Sequence, residues 1–189
     1  HWAGAPLLLA FGAGTLLVAL ARAPIGVQRA IGGVATLAQL GLAILLVGYA
    51  DGGAQLAYAV ADWAAPFGIF LLVDRLAAWM LLVTAVVACA ALLYASAGED
   101  RAGPHFHALF QFQLLGILGS FLTADLFNLF VFFEILLIAS YALLLHGAAR
   151  ERVRAGLQVV VLNLVGSMLF LVAVACVYAA AGTLNLADL

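Results

Sequence analysis

Glu134 stands in the middle of LFNLFVFFEILLIASYALLL, a run that is otherwise almost wholly apolar. On insertion scales an acidic or basic side chain at the centre of a membrane helix costs ~2.5–3.5 kcal/mol, and residues kept at that cost usually move protons or cations. Asp125 opens the run, and nine residues at ~1.5 Å rise place Glu134 ~13 Å deeper, near the middle of a ~30 Å hydrocarbon core. Phe127, Phe130, Val131, Ile138 and Tyr141 share its helical face and supply no cation. A carboxyl so placed is expected to be neutral or paired with a base on another helix. The plainer reading is a neutral glutamic acid that hydrogen-bonds two helices together.

Other polar residues divide between local structure and an ion path. Asp125 and Asn128 begin the same helix, where an aspartate caps the first turn and suits the helix dipole; a part in ion exit is compatible with that. Asp74 is expected about seven residues into another apolar run, beside Arg75. Neighbours on a helix point ~100° apart, so the two need not pair. Asn163 and Ser167 are spaced i, i+4 with Gly166 beside them, and such residues hold membrane helices together; they could also carry a water wire to Glu134. Gly116 and Ser120 read as a close-packing pair. His105, His107 and His146 fall at the ends of apolar runs. They titrate near neutrality and could collect protons, with solvated surface histidine as the plainer reading. The H-x-H pair has no evident third metal ligand. Cys89 and Cys176 lie inside apolar runs and read as packing. No nucleophile elbow, phosphate loop, CxxC or zinc pattern occurs, so neither a cofactor nor a metal is expected.

These residues need helices to hold them. Of 189 residues 68% are hydrophobic and 8% charged, and the mean hydropathy is +1.23. Soluble domains are about half apolar and roughly a quarter charged, so this chain belongs in lipid, where helices or a closed barrel satisfy the backbone. Barrel strands alternate over ~10 residues; these runs are continuously apolar. The fold class expected is an all-α polytopic bundle of about six transmembrane helices in one domain, residues 1–189. The spans fall at about 3–21, 30–50, 67–97, 106–122, 126–145 and 153–181. Loop 51–66 is the one long connection, with a turn at Gly52-Gly53, a half-alternating stretch suited to a short hairpin, and Trp63 at the interface. The net charge of −2 and the absence of a basic run argue against nucleic acid as a partner.

Arg22, Arg29, Arg101, Arg150, Arg152 and Arg154 all fall on one side of the membrane in this arrangement, and Asp51, Asp62 and Asp125 on the other. By the positive-inside rule the arginine side is cytoplasmic, and both the N-terminus and the C-terminus face out. The location expected is the cell (plasma) membrane.

The stretch LTADLFNLFVFFEILLIASYALLLHG, residues 122–147, resembles the antiporter-like subunits of respiratory complex I and of multisubunit sodium/proton antiporters. ADWAAPFGIFLLVDRLAAWMLL, LNLVGSMLFLVAVACVY and GTLNLADL agree, and together they most resemble the D subunits of the multisubunit monovalent cation/proton antiporters. The resemblance implies a subunit of about fourteen spans with two inverted five-helix units. It places Glu134 on the buried glutamate of the fifth span, which in that family pairs with a lysine on the seventh. This chain has no lysine and six spans, so it looks like the N-terminal third of such a subunit.

The function expected is proton and monovalent-cation translocation, with protons and Na+ as the ions, beside other hydrophobic subunits of a hetero-oligomeric complex in the bilayer. Glu134 carries the proton, and Asp74, Asp125, Asn163, Ser167 and His146 are candidates for the path. One alternative is a proton-pumping subunit of a complex I-like oxidoreductase or membrane hydrogenase. Another, of a different class, is a structural assembly subunit in which Glu134 is helix glue. The topology is testable at once: a single cysteine at position 152 of a Cys-free variant should resist membrane-impermeant labelling in intact cells, and labelling from outside would overturn the orientation.

Overall fold

The computed structural model describes residues 2–53, 55–60, 68–103, 105–147 and 150–189, with the backbone alone at 150–152 and 155. Six α-helices follow one another: α1 (Ala5–Ala19), α2 (Ile25–Asp51), α3 (Arg75–Ala95), α4 (Phe106–Leu122), α5 (Leu126–Leu144) and α6 (Arg150–Ala181). A 3-10 turn, Trp2–Gly4, leads into α1. Together with that turn α1 is long and apolar enough to cross a membrane, as are α2, α3, α5 and α6; α4 has 17 residues and is shorter. The chain is a multi-pass, all-α membrane bundle.

Long Ala- and Leu-rich runs favour helix over strand, and punctuation sets their ends. Pro6 sits in the first turn of α1 and Pro24 immediately precedes α2, where a missing N–H costs nothing. Asp74 and Asp125 cap α3 and α5: their Oδ1 atoms accept from Ala77 N and Asn128 N, each at 2.7 Å. Hydroxyls inside the helices mostly turn back on their own backbone. Thr15, Thr36, Thr84, Ser96 and Ser120 each donate to the carbonyl four residues earlier at 2.8 Å, which removes their polarity from the lipid.

The third span differs from expectation. Residues 67–97 read as one apolar helix, but Phe70–Val73 is a strand, β2, paired antiparallel with β1 (Leu56–Ala59), and α3 begins at Arg75. A short apolar run carries no periodicity that separates strand from buried helix. Asp74 therefore stands at the helix start, not seven residues inside it. The hairpin expected within loop 51–66 draws its second strand from beyond that loop; Asp62, Trp63 and Phe67 lie outside the described residues. The extended backbone continues sideways: Leu71 bridges Thr123, Ala124 N donates to Phe70 O at 2.9 Å, and Asp125 bridges Asn185. Four segments from distant parts of the chain thus form one hydrogen-bonded belt on the acidic side, which satisfies backbone groups that lipid could not.

The interior is built on α4, which α1 and α5 flank most extensively, while α2 packs on α3. Ala10, Ala78, Leu81 and Leu122 are among its most buried side chains. Lipid offers no hydrophobic drive between helices, so close approach of small residues supplies the contact. A Cβ on Gly116 would lie 2.6 Å from the backbone N of Leu136, and one on Gly119 would enter the Phe132 ring. Gly116 packs as expected, and Gly119, three residues on, meets α5 as closely. Gly116→Val should therefore push α4 from α5 and destabilise the bundle by ~1–3 kcal/mol, the usual cost of overpacking. The check is subunit abundance and thermal midpoint in membranes, with Gly41→Ala, where a Cβ meets nothing within 4 Å, expected to behave as the parent.

Candidate functional site

Glu134 projects from the middle of α5 into a groove against α6. The groove, a cavity of about 340 Å3, is lined by Phe133, Glu134, Asn163, Gly166, Ser167 and Phe170 among others. Ser167 Oγ donates to Glu134 Oε1, so the hydroxyl that could have bonded its own helix reaches across to the carboxylate instead. The i, i+4 spacing of Asn163 and Ser167 puts both on the face of α6 that meets α5. Phe130 and Phe133 pack against Phe170 with ring centroids 6.0 and 6.2 Å apart and close one side of the acid. Among the described residues no cation bonds Glu134. The groove is an acid, a hydroxyl and an amide in apolar walls, an arrangement able to hold a proton or a hydrated monovalent cation.

The remaining predicted residues stand elsewhere. Asp125 is buried as a cap, and Asn128 Nδ2 donates to Thr123 Oγ1 at 2.9 Å in the same turn. Asp74 caps α3 and borders a cavity of about 670 Å3 on the belt side, with Ser120 and Thr123 on its wall. Arg75 does not pair with Asp74; it approaches Asp51 at 3.6 Å with both side chains more than half exposed, a contact worth little. His146 lies just beyond α5 with its ring 5.3 Å from that of Phe106. These three are not brought to Glu134.

A second polar cluster has no counterpart in the expectations drawn from sequence. Asp100, in the α3–α4 loop, accepts from Arg29 Nε at 2.6 Å and from Arg29 Nη2 at 2.7 Å, and its Oδ2 lies 3.1 Å from His107 Nε2. His107 is 1% exposed, so the surface reading of that histidine is wrong: α4 turns it inward, against Gly32 of α2. His105, by contrast, forms the left-handed turn (φ 68°) that starts α4. Gln111 Nε2 extends the cluster to Gly32 O at 3.3 Å and Thr36 Oγ1 at 3.1 Å. The available signal is polar or small residues at helical spacing: 29, 32 and 36 on α2, and 107 and 111 on α4. The Arg29 guanidinium, with His107 behind it, holds the Asp100 carboxyl below the ordinary carboxylate range, against the opposing effect of burial.

Residues 123–189 match the family model described as "NADH:quinone oxidoreductase/Mrp antiporter, TM". A Rhizobium meliloti (strain 1021) protein, named as the D subunit of a probable K(+)/H(+) antiporter, is 46% identical over 97% of this chain and 35% of its own length. The Na(+)/H(+) antiporter D subunit of Alkalihalophilus pseudofirmus (strain ATCC BAA-2126 / JCM 17055 / OF4) is 39% identical over 97% and 38%. Among solved structures, a chain of the membrane-bound sulfane sulfur reductase, an archaeal respiratory membrane complex, superposes with a TM-score of 0.89 at 32% identity, over 97% of this chain and 38% of that one. The chain spans little more than a third of the length of the relatives it matches.

Asp100 also sets a pH dependence. Its folded pKa lies below the unfolded value of about 3.9, so its charged form stabilises the fold at every pH above that value. The contribution is lost as pH falls from about 4 through the folded value. Asp100→Asn should lower the thermal midpoint at neutral pH and flatten its decline in acid; an unchanged acid decline would remove Asp100 as the cause.

Proposed function

We propose, for a chain that belongs to the NADH:quinone oxidoreductase/Mrp antiporter family of membrane subunits and sides with the D subunits among them, that it serves cation/proton exchange as one subunit of a multisubunit antiporter. The observation that carries this reading is Glu134 at mid-span, facing a groove and bonded only by a hydroxyl among the described residues. A carboxyl in hydrocarbon is neutral until a positive charge approaches, and releases its proton when one does. Alternation between those forms moves a proton when the approaching charge comes and goes. Ser167 holds the carboxyl toward α6, and Asn163 offers the groove a second polar lining. His146 stands at the arginine-rich end of α5, and Asp125 and Asp74 at the opposite side, where a path would open. The partners of such a subunit are further hydrophobic subunits and the lipid bilayer, and the exchanged cation is Na+.

The arginine partition supports an orientation with α1 starting outside and the arginine-rich loops in the cytoplasm of a bacterial plasma membrane. A second reading has one specific support. The same helices superpose on a chain of an archaeal respiratory complex, so the subunit could pump protons under redox drive within a larger oxidoreductase, the transport role of Glu134 being the same.

Glu134→Gln keeps the shape and removes the titration. In the full-length, assembled complex it should cut exchange by on the order of 10²-fold, the scale of losing a positioned proton-transfer group, while Glu134→Asp keeps part of the rate. The measurement is collapse of a pH gradient in inverted vesicles on adding Na+, with K+ in a parallel arm. Exchange at the parental rate in Glu134→Gln vesicles with normal subunit levels would make Glu134 structural, and the chain an assembly subunit.

A further inference from the structure

The arginine-rich end of α5 rests on the α3–α4 loop. A Cβ on Gly147, just past α5, would stand 2.5 Å from Ala102 Cβ and 3.0 Å from the Ala102 carbonyl oxygen. A Cβ on Gly103 would stand 3.1 Å from His146 Cε1 and 3.4 Å from the Gly147 backbone N. Gly147 has φ 62°, a left-handed conformation that residues with a side chain rarely adopt, so the turn and the close approach both call for glycine. Phe106 closes the same seat, its ring centroid 5.3 Å from that of His146. α6 is seated one step further on: a Cβ on Gly156 would meet the Leu145 side chain at 2.6 Å. The loop thus carries α5 directly and α6 through α5, and these two helices are the walls of the groove at Glu134. An ion pair fixes the loop. Asp100, in the 3-10 turn Glu99–Arg101, is 1% exposed and accepts from Arg29 Nε and Nη2 at 2.6 and 2.7 Å. Such a two-armed fork sets orientation as well as distance. The turn's backbone bonds are local, Arg101 N donating to the Gly98 carbonyl and Ala102 N to that of Glu99. The Asp100 carboxylate is what ties it to α2 and, through His107, to α4.

We propose that Arg29 and Asp100 are positioning residues for the groove: the fork sets the α3–α4 loop, the loop seats the ends of α5 and α6, and that seat holds Ser167 against Glu134. The inference rests on the exchange activity proposed above. Its effect is on populations. With the fork cut, the loop and the helix ends it carries take up other arrangements, and only a fraction of subunits keeps the closed groove. Apparent affinity for the ion falls by that fraction, and saturating ion draws the population back. The signature is a raised KM at an unchanged maximal rate. Simple loss of stability does the reverse, since fewer working subunits lower the maximal rate and leave KM alone.

The test measures Na+-driven proton release against Na+ concentration in inverted vesicles holding the full-length complex at matched subunit levels. Asp100→Asn keeps the shape and removes the charge that Arg29 grips. It should raise the KM for Na+ about fivefold, the lower end of coupling between distinct sites, at the parental maximal rate. Gly147→Ala attacks the seat from the other side with the fork intact, and should raise KM in the same way. The double variant should be no worse than the stronger single one, because both cut one chain of contacts. Rises that multiply would mean two unrelated defects and overturn the proposal. A parental KM in either single variant also overturns it, a lowered maximal rate alone being the mark of a merely structural cluster. If either fails to assemble, Arg29→Lys decides: it keeps the charge and gives up the fork, and a parental KM there overturns the proposal. Glu134→Gln is run beside them. Loss of exchange in that variant together with parental KM values in the others sinks this inference and leaves the groove reading standing. Exchange at the parental rate in Glu134→Gln sinks the groove reading itself, and this inference with it.

Discussion

Hydrocarbon gives a polar group no solvent to fall back on, and that one constraint orders this bundle. Every buried donor and acceptor must be met by protein, or the bundle carries the cost of leaving it unmet. The helices meet it by turning hydroxyls back onto their own carbonyls, and the connections on the acidic side meet it by pairing into a belt. Glu134 meets it with a single hydroxyl from the next helix. That bond ties α5 to α6 at mid-span and holds the carboxyl at the wall of the groove.

The two polar clusters solve the same problem in different ways. Arg29, Asp100 and His107 form a charged pair with a third group attached, closed over by α2, α4 and the loop between α3 and α4. Removing Arg29 would leave the buried Asp100 carboxylate without its main partner, so the three hold one another in place. The α5–α6 groove has the opposite character. Its acid has no cationic partner among the described residues, and Leu162, Leu169 and Val172 of α6 stand well exposed. Those side chains must be covered by lipid or by further protein.

Much of this is readable from the residues. Continuous apolar runs announce membrane helices, and the i, i+4 spacing of Asn163 and Ser167 places them on one face of their helix. Asp125 caps where a helix-starting aspartate should. The third span misleads because FLLV is as apolar as a helix and too short for its period to show; only pairing with LAYA reveals it as strand. The arginine cluster is hidden for another reason. Arg29 reads as a topology marker and His107 as a surface group, each in its own helix. Asp100, which joins them, stands 71 positions from Arg29, and no local pattern encodes so distant a contact.

The attachment of α6 is instructive as mechanics. Near its arginine-rich end a Cβ on Gly156 would meet the Leu145 side chain at 2.6 Å, so that end is seated on α5. Past its other end, the Leu184 carbonyl accepts from Leu126 N, and Leu186 N donates to the Ala124 carbonyl, each at 2.9 Å. A rod of 32 residues, ~48 Å long, is thus pinned near both ends and rests on its neighbour between them. Such a beam bows most near its centre, and the centre of α6 falls at Val165 and Gly166, next to Ser167. The compliance of the helix is greatest at the atoms that touch the acid, so a small lateral load anywhere along α6 is felt first as a change in the distance between Ser167 and Glu134.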